Sequence, residues 1–388
     1  MRPFLPSCRG AAPRLLAAAA FALGGAFAQA GSFSVVGDMV VPRDHHTATA
    51  LPDGRVLIAG GVRHNPGGPT AEAELFDPKT GTFAATGNMT VPRVDHAAAL
   101  LPDGRVLVVG GYGAEETQAN AELYDPASGS FTAVASGSAV GGERTAAITL
   151  ADGRVLVAGG FNMGARATAF VFDPATGSFS PTGSLGAARY VHTMTLLADG
   201  RVLVTGGMAN GILASAELYD PVAGSFTPTG TLSIPRERHA AARLPDGRVL
   251  IAGGYTLEGE QQETAEIFDP AAGTFSAAAD MTMARIDFAL VPLADGDVLA
   301  VGSYRWALEA ATAERFVAGD DRFEAIVPGP ATERAGLAAT RLPDGRVLLT
   351  GGTDLMNEEG GLTPYGELYD PAGGVDPIFS DGFENPTP

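Results

Sequence analysis

His46-Thr47-Ala48-Thr49-Ala50-Leu51-Pro52-Asp53-Gly54-Arg55-Val56-Leu57-Ile58-Ala59-Gly60-Gly61 reads as two short strands around one tight turn. Asp53-Gly54 is the turn, because a hairpin needs residues that accept positive φ. Val56 to Ala59 is apolar without a break, as in a strand buried on both faces, and it stops at Gly60-Gly61. After a loop, Ala73-Glu74-Leu75-Phe76 forms a third strand closed by Asp77-Pro78, since proline has no N–H for a ladder. Lys79-Thr80-Gly81 then turns into a fourth strand at Phe83.

The unit recurs. Gly-Gly pairs stand at Gly60-Gly61, Gly110-Gly111, Gly159-Gly160, Gly206-Gly207, Gly253-Gly254 and Gly351-Gly352, with Gly302-Ser303 in the sixth place. Third- and fourth-strand aromatics keep a spacing of seven: Phe76/Phe83, Tyr124/Phe131, Phe172/Phe179, Tyr219/Phe226, Phe268/Phe275 and Phe316/Phe323. A period near 50 with such landmarks predicts a β-propeller. The last unit reaches Tyr369-Asp370-Pro371 and lacks its fourth strand, while Gly31-Ser32-Phe33 has no blade before it. The N-terminal strand is therefore expected to complete the seventh blade and close the ring, leaving no blade edge open. The expected fold is all-β: a seven-bladed propeller over 31–374, four antiparallel strands per blade, with a leader at 1–30 and a flexible tail at 375–388.

The Gly-Gly pair, the aromatic of Leu-Phe-Asp-Pro or Leu-Tyr-Asp-Pro, and a second aromatic seven residues on resemble the kelch repeat, with Phe where kelch units usually carry Trp. The resemblance implies a propeller but no single function. Secreted kelch propellers include the galactose oxidase family, and that resemblance implies a copper site with a Tyr–Cys crosslink. The sole cysteine, Cys8, lies in the leader, so a copper-radical oxidase is argued against. Another kelch group comprises sugar epimerases.

Composition narrows the class. Apolar residues make up 45% and charged ones 18%, a globular balance. The net charge of −19 argues against nucleic acid and anionic membrane as partners. One cysteine rules out a disulfide framework and a Cys-based zinc site. Arg2, Arg9 and Arg14 precede an apolar run from Leu15 to Phe27, followed by Ala28-Gln29-Ala30. That pattern predicts a cleavable secretory signal, too short to span a bilayer. Cleavage removes three arginines and takes the charge from −19 to −22. The mature chain is expected as a monomer outside the cytoplasm, periplasmic or extracellular, with no membrane insertion.

Strand alternation puts the post-Gly-Gly loops and the blade-to-blade crossings on one face. Arg43, Arg93, Arg189, Arg236, Arg285 and Arg334 recur in the crossings; Glu74, Glu122, Glu217, Glu266, Glu314 and Glu367 recur before the third-strand aromatic. Blade three has neither, with Gly142 and Phe170 instead. Joint presence and absence predict bidentate Arg–Glu pairs within blades rather than a ring for an anionic ligand. His46, His96, His192 and His239 follow the arginine by three. They are too far apart for one metal and are expected to hydrogen-bond within the crossings; they also count as ligand candidates at the channel mouth. Asp44-His45-His46 is the one local cluster. Tyr112, Phe161, Tyr255 and Tyr304, with Trp306, sit on the loop face and suit sugar stacking or protein contact.

Nucleophile elbow, zincin, phosphate-loop and EF-hand motifs are missing; no catalytic residue is singled out, and no metal site or cofactor is expected. The tail carries Phe379-Ser380-Asp381-Gly382-Phe383, which resembles endings of other bacterial secreted proteins. The function expected is a secreted, non-catalytic binding propeller whose loop face takes carbohydrate or protein. The alternatives are a carbohydrate-active enzyme such as a sugar epimerase or mutarotase, and a structural envelope component.

Overall fold

The computed structural model describes residues 31–373 apart from 65–66, 136–139, 258, 304–311 and 355–360. Residues 1–30 with Cys8, the residues after Gly373, and Tyr304 and Trp306 lie outside the described residues. Seven four-stranded antiparallel sheets are present. The first blade runs from inner strand Thr47–Ala50 through Val56–Ala59 and Ala73–Asp77 to outer strand Thr82–Ala85. Blades two to six repeat this order, and the seventh carries Ala338–Arg341, Val347–Thr350 and Tyr365–Asp370.

Its fourth strand is Ser32–Asp38, from the other end of the chain, with Phe33 opposite Tyr369 and Ser32 opposite Asp370. The Phe33 and Tyr369 rings lie 4.9 Å apart, matching Phe76 and Phe83 at 4.8 Å. The closing strand thus satisfies the same aromatic contact as a strand within a continuous blade.

The core lies between blades. Tyr124 of blade two packs on Leu57, Ala59 and Ala73 of blade one, and Phe172 of blade three on Leu107, Val109 and Ala121 of blade two. All seven third-strand aromatics, from Phe76 to Tyr369, are buried. Second strands such as Val56–Ala59 are buried along their whole length, whereas outer strands such as Thr82–Ala85 stay largely exposed. Burying each aromatic contributes about 1.5–3 kcal/mol. That gain requires the preceding blade, which for Phe76 of blade one is blade seven, so the ring must close.

Blades meet at the Gly-Gly site. The second amide donates to the carbonyl of the next blade's crossing residue: Gly61 to Arg93 at 2.7 Å, Gly111 to Gly142 at 2.9 Å and Ser303 to Arg334 at 3.1 Å. The first glycine must be left-handed and bare. Gly60 has φ 65°, and a Cβ there would lie 2.6 Å from both the Arg93 oxygen and His96 Cε1. Gly177 has the same φ but nothing within 4 Å of its would-be Cβ.

Comparison of these two sites separates backbone strain from contact. Gly177→Ala is expected to cost about 1–2 kcal/mol, the left-handed penalty alone. Gly60→Ala is expected to cost about 1–3 kcal/mol more through overpacking. Urea denaturation of both variants reads the difference; equal losses would mean that the close approach at Gly60 carries no energy.

Candidate functional site

Every crossing arginine is fully buried against its glutamate. Arg43 Nη2 lies 3.0 Å from Glu74 Oε1, Arg93 2.9 Å from Glu122, Arg189 2.7 Å from Glu217, Arg236 3.0 Å from Glu266 and Arg285 2.9 Å from Glu314. Arg334 pairs with Glu367 in the same way. The expected fork-to-fork geometry needs correction. Only one carboxylate oxygen meets the guanidinium, because the other accepts a backbone N–H of the crossing, from Val40 to Glu74 and from Thr90 to Glu122, both at 2.6 Å. The arginine's other edge donates to carbonyls, Arg43 Nη1 to Gly60 at 2.9 Å and to Glu72 at 2.7 Å. Burial pulls the Arg43 guanidinium below its ordinary range while Glu74 pulls it back. These twelve side chains are consumed in holding the crossings to the Gly-Gly site.

The four histidines are buried too, and their partners also differ from expectation. His46 Nε2 lies 2.8 Å from Thr350 Oγ1, His96 Nε2 2.9 Å from Thr47 Oγ1, and His239 Nε2 3.1 Å from both Thr193 and Thr205. The threonines belong to the inner two strands of the preceding blade, not to the crossings. The left-handed glycine explains this, since its missing side chain leaves room for the next blade's imidazole. Neither nitrogen of His192 has a partner. Burial, reinforced by the neighbouring arginine, lowers all four to about 3.

One residue before each histidine position lies a ring that the sequence reading did not single out beyond His45. His45, Asp95, Arg144, Val191, Arg238 and Asp287 all have φ between 48° and 53°, and Gly336 completes the set at 64°. Their amides chain around the mouth: His45 N–H to Gly336 O at 2.8 Å, Asp95 to His45 at 3.4 Å, Arg144 to Asp95 at 2.9 Å, Arg238 to Val191 and Asp287 to Arg238 at 3.3 Å. A β-branched residue such as Val191 is strained there, so the ring geometry overrides local preference. The sequence signal was present as mixed residue types at one repeat position, but positive φ in ordinary residues leaves no mark on sequence.

Five ring residues, Asp95, Arg144, Val191, Arg238 and Asp287, line a cavity of about 210 Å³ together with His192, His239 and Phe288. Two ion pairs flank it, Arg144 Nε–Asp95 Oδ2 at 3.1 Å and Arg238 Nη1–Asp287 Oδ2 at 2.8 Å. Glu143 and Glu237 stand near the arginines at 3.9 and 4.0 Å. Burial raises the Glu237 carboxyl against the pull of Arg238 and Arg144. His45 has its Nδ1 3.3 Å from Asp44. Burial disfavours its charged form, but the Asp44 hydrogen bond and the charges of Asp95, Asp44 and Asp287 outweigh this and raise it.

Around the mouth, Tyr112, Phe161 and Tyr255 bridge in backbone to Val94, Glu143 and Glu237. Tyr112 is exposed, while Phe161 and Tyr255 are half-buried. The Phe161 and Tyr190 rings meet at 5.2 Å between centroids, tilted by 58°. Two of the four histidines, His192 and His239, line the cavity, while His46 and His96 do not; Tyr112, Phe161 and Tyr255 are bridged to the residues just before Asp95, Arg144 and Arg238.

No protein-family profile matches the sequence, and no curated protein matches it. Among solved structures the chain is similar to a fungal alcohol oxidase of the AA5 family in complex with copper, with a TM-score of 0.68 and 18% identity over 88% of this chain and 77% of that one. It is also similar to YjhT, with a TM-score of 0.59 and 14% identity over 74% of this chain and 98% of that one. The likenesses show the fold, a kelch-type seven-bladed propeller. No group of three His, Cys, Asp or Glu close enough to hold a metal occurs among the described residues, and the sole cysteine precedes the propeller.

Removing one partner of a buried pair leaves an uncompensated charge. Arg93→Met is expected to cost about 3–5 kcal/mol, and Arg93→Met with Glu122→Leu to cost less than the single change, as blade three's uncharged Gly142 and Phe170 imply. Denaturant titration of the cycle checks this, and a double variant worse than both singles would contradict it.

The histidines also set an acid limit. Unfolded they protonate near 6.5, folded near 3, so between those values the unfolded chain binds more protons and stability falls as pH falls. Each contributes about 1.4 kcal/mol per pH unit in that window. Unfolding free energies at pH 7 and pH 5 should differ accordingly, and His46→Phe with His96→Phe should flatten the slope; an unchanged slope would reject the assignment.

Proposed function

We propose that this is a non-catalytic, carbohydrate-binding propeller working outside the cytoplasm, with the channel mouth as its ligand site. The observation that carries the reading is the lining itself: carboxylates and guanidiniums, paired across blades and fixed on a hydrogen-bonded ring. Sugar hydroxyls both donate and accept, and such a wall offers them both roles. Asp44, Asp95, Glu143, Glu237 and Asp287 outnumber Arg144, Arg238 and His45, so a polyanion finds no net attraction. A space of about 210 Å³ holds about seven waters at ~30 Å³ each, which suits one neutral monosaccharide unit. Tyr112, Phe161 and Tyr255 supply apolar faces at the rim for the rest of a chain.

A second reading, sugar epimerisation or mutarotation, draws on Glu237. A carboxyl raised by burial beside Arg238 and near Asp287 is the kind of group that exchanges a proton with a ring oxygen or hydroxyl.

Calorimetry of residues 31–388 with D-glucose, D-galactose, D-mannose and N-acetyl-D-glucosamine tests both. Saturable binding by at least one sugar is expected, weakened tenfold or more in Arg144→Gln and Asp287→Asn, since hydrogen bonds to charged groups contribute about 1.5–3 kcal/mol. Accelerated anomer exchange in NMR, lost in Glu237→Gln, would favour the enzyme. Binding indifferent to both mouth variants would move the site elsewhere.

A further inference from the structure

A rule links neighbouring blades. The first residue of each inner strand pairs with the last residue of the second strand, as in Thr47 with Ala59. Where that pair holds a threonine, the next blade supplies a histidine to meet it, as His96 meets Thr47 and His46 meets Thr350. Where the pair holds only alanine or valine, the next blade drops the imidazole. Ala240 with Ala252 is followed by Phe288, and Ala289 with Val301 by Leu337. The match is physical, because a buried imidazole without a hydroxyl is a cost and a phenyl ring is not.

His192 breaks the rule. The pair before it is Ala146 with Ala158, yet the next blade keeps its histidine, only 8% exposed and with both nitrogens unpartnered. The other three counterparts leave Nδ1 alone but bond Nε2. His192 also lines the mouth cavity between Arg144 and Arg238. Both of its nitrogens are covered in this structure, so reaching the cavity takes a turn of the ring, and no threonine hydroxyl holds the ring back.

We propose that His192 is a ligand-contacting side chain of the mouth, whose ring turns into the cavity and bonds a hydroxyl of the bound sugar in place of the threonine that blade three lacks. This rests on the carbohydrate reading above and adds the one wall residue that sets which hydroxyl is read. It also explains why an otherwise costly histidine stands at a position where Phe or Leu serves elsewhere in the ring.

Diethyl pyrocarbonate labelling read by peptide mass spectrometry tests this on the full propeller, with exposed His64 as the fast reference. His192 is expected to label at least tenfold faster than His46, His96 and His239. Ala146→Thr, which places a hydroxyl where Thr47 stands, is expected to slow it to their rate and to raise the melting temperature by about 2 °C. Whichever of the four sugars binds is expected to protect His192, and His192→Phe to weaken that sugar about tenfold while keeping the fold. Labelling as slow as that of the counterparts overturns the inference. A sugar that binds without changing the His192 rate overturns the contact and leaves the carbohydrate site standing. No binding by any of the four in calorimetry overturns both.

Discussion

The same backbone hydrogen bond recurs at every seam of this ring, from the amide after a left-handed glycine to the carbonyl of the next blade's crossing residue. It demands an approach so close that no Cβ fits at the first glycine. The side chain of the arginine that carries that carbonyl runs into its own blade, where the carbonyl of that blade's first glycine and a glutamate receive it, as Gly60 and Glu74 receive Arg43. A charge that would be prohibitive alone is tolerated because its glutamate and backbone carbonyls meet it. Blade three keeps the backbone bond, from Gly111 to Gly142, without the ion pair, so the bond is the constraint and the pair its reinforcement.

The same constraint builds the mouth. Pulling each crossing against the preceding blade forces the residue two beyond the arginine into positive φ, whatever its type. Those residues present their side chains around the channel on a frame that their own backbone hydrogen bonds hold. A frame of this kind is indifferent to side-chain identity, and so the ring can carry Asp, Arg, Val and His in one circle. Functional variety is possible at that level because stability is settled one layer outside it.

Much of the fold was legible in the sequence. The turn chemistry at Asp53-Gly54 and the apolar run Val56–Ala59 recur seven times and the spacing of Phe76 and Phe83 six times, local signals that leave little freedom. Closure by Phe33 was legible for the same reason, as a missing strand at one end and a surplus one at the other. The Arg–Glu pairs were visible through their joint loss in blade three, but not their geometry, since the second carboxylate oxygen is taken by a backbone amide that only folding brings near. The histidine partners were missed because they lie in the preceding blade, as far apart in sequence as His46 and Thr350.

The sequence by itself determined the blade count, the strand order, the closing strand and the residues that seal each seam, because each follows from short-range pattern repeated until chance is excluded. Tertiary structure alone decided which of those residues remain available. It buried the crossing arginines and their glutamates beyond use, tied three histidines to threonines across the seams, and left His192 without one. It also gathered Asp95, Arg144, Arg238 and Asp287, each from a different blade, around one small cavity. No linear pattern encodes that gathering, because it depends on how seven similar units pack around a common axis.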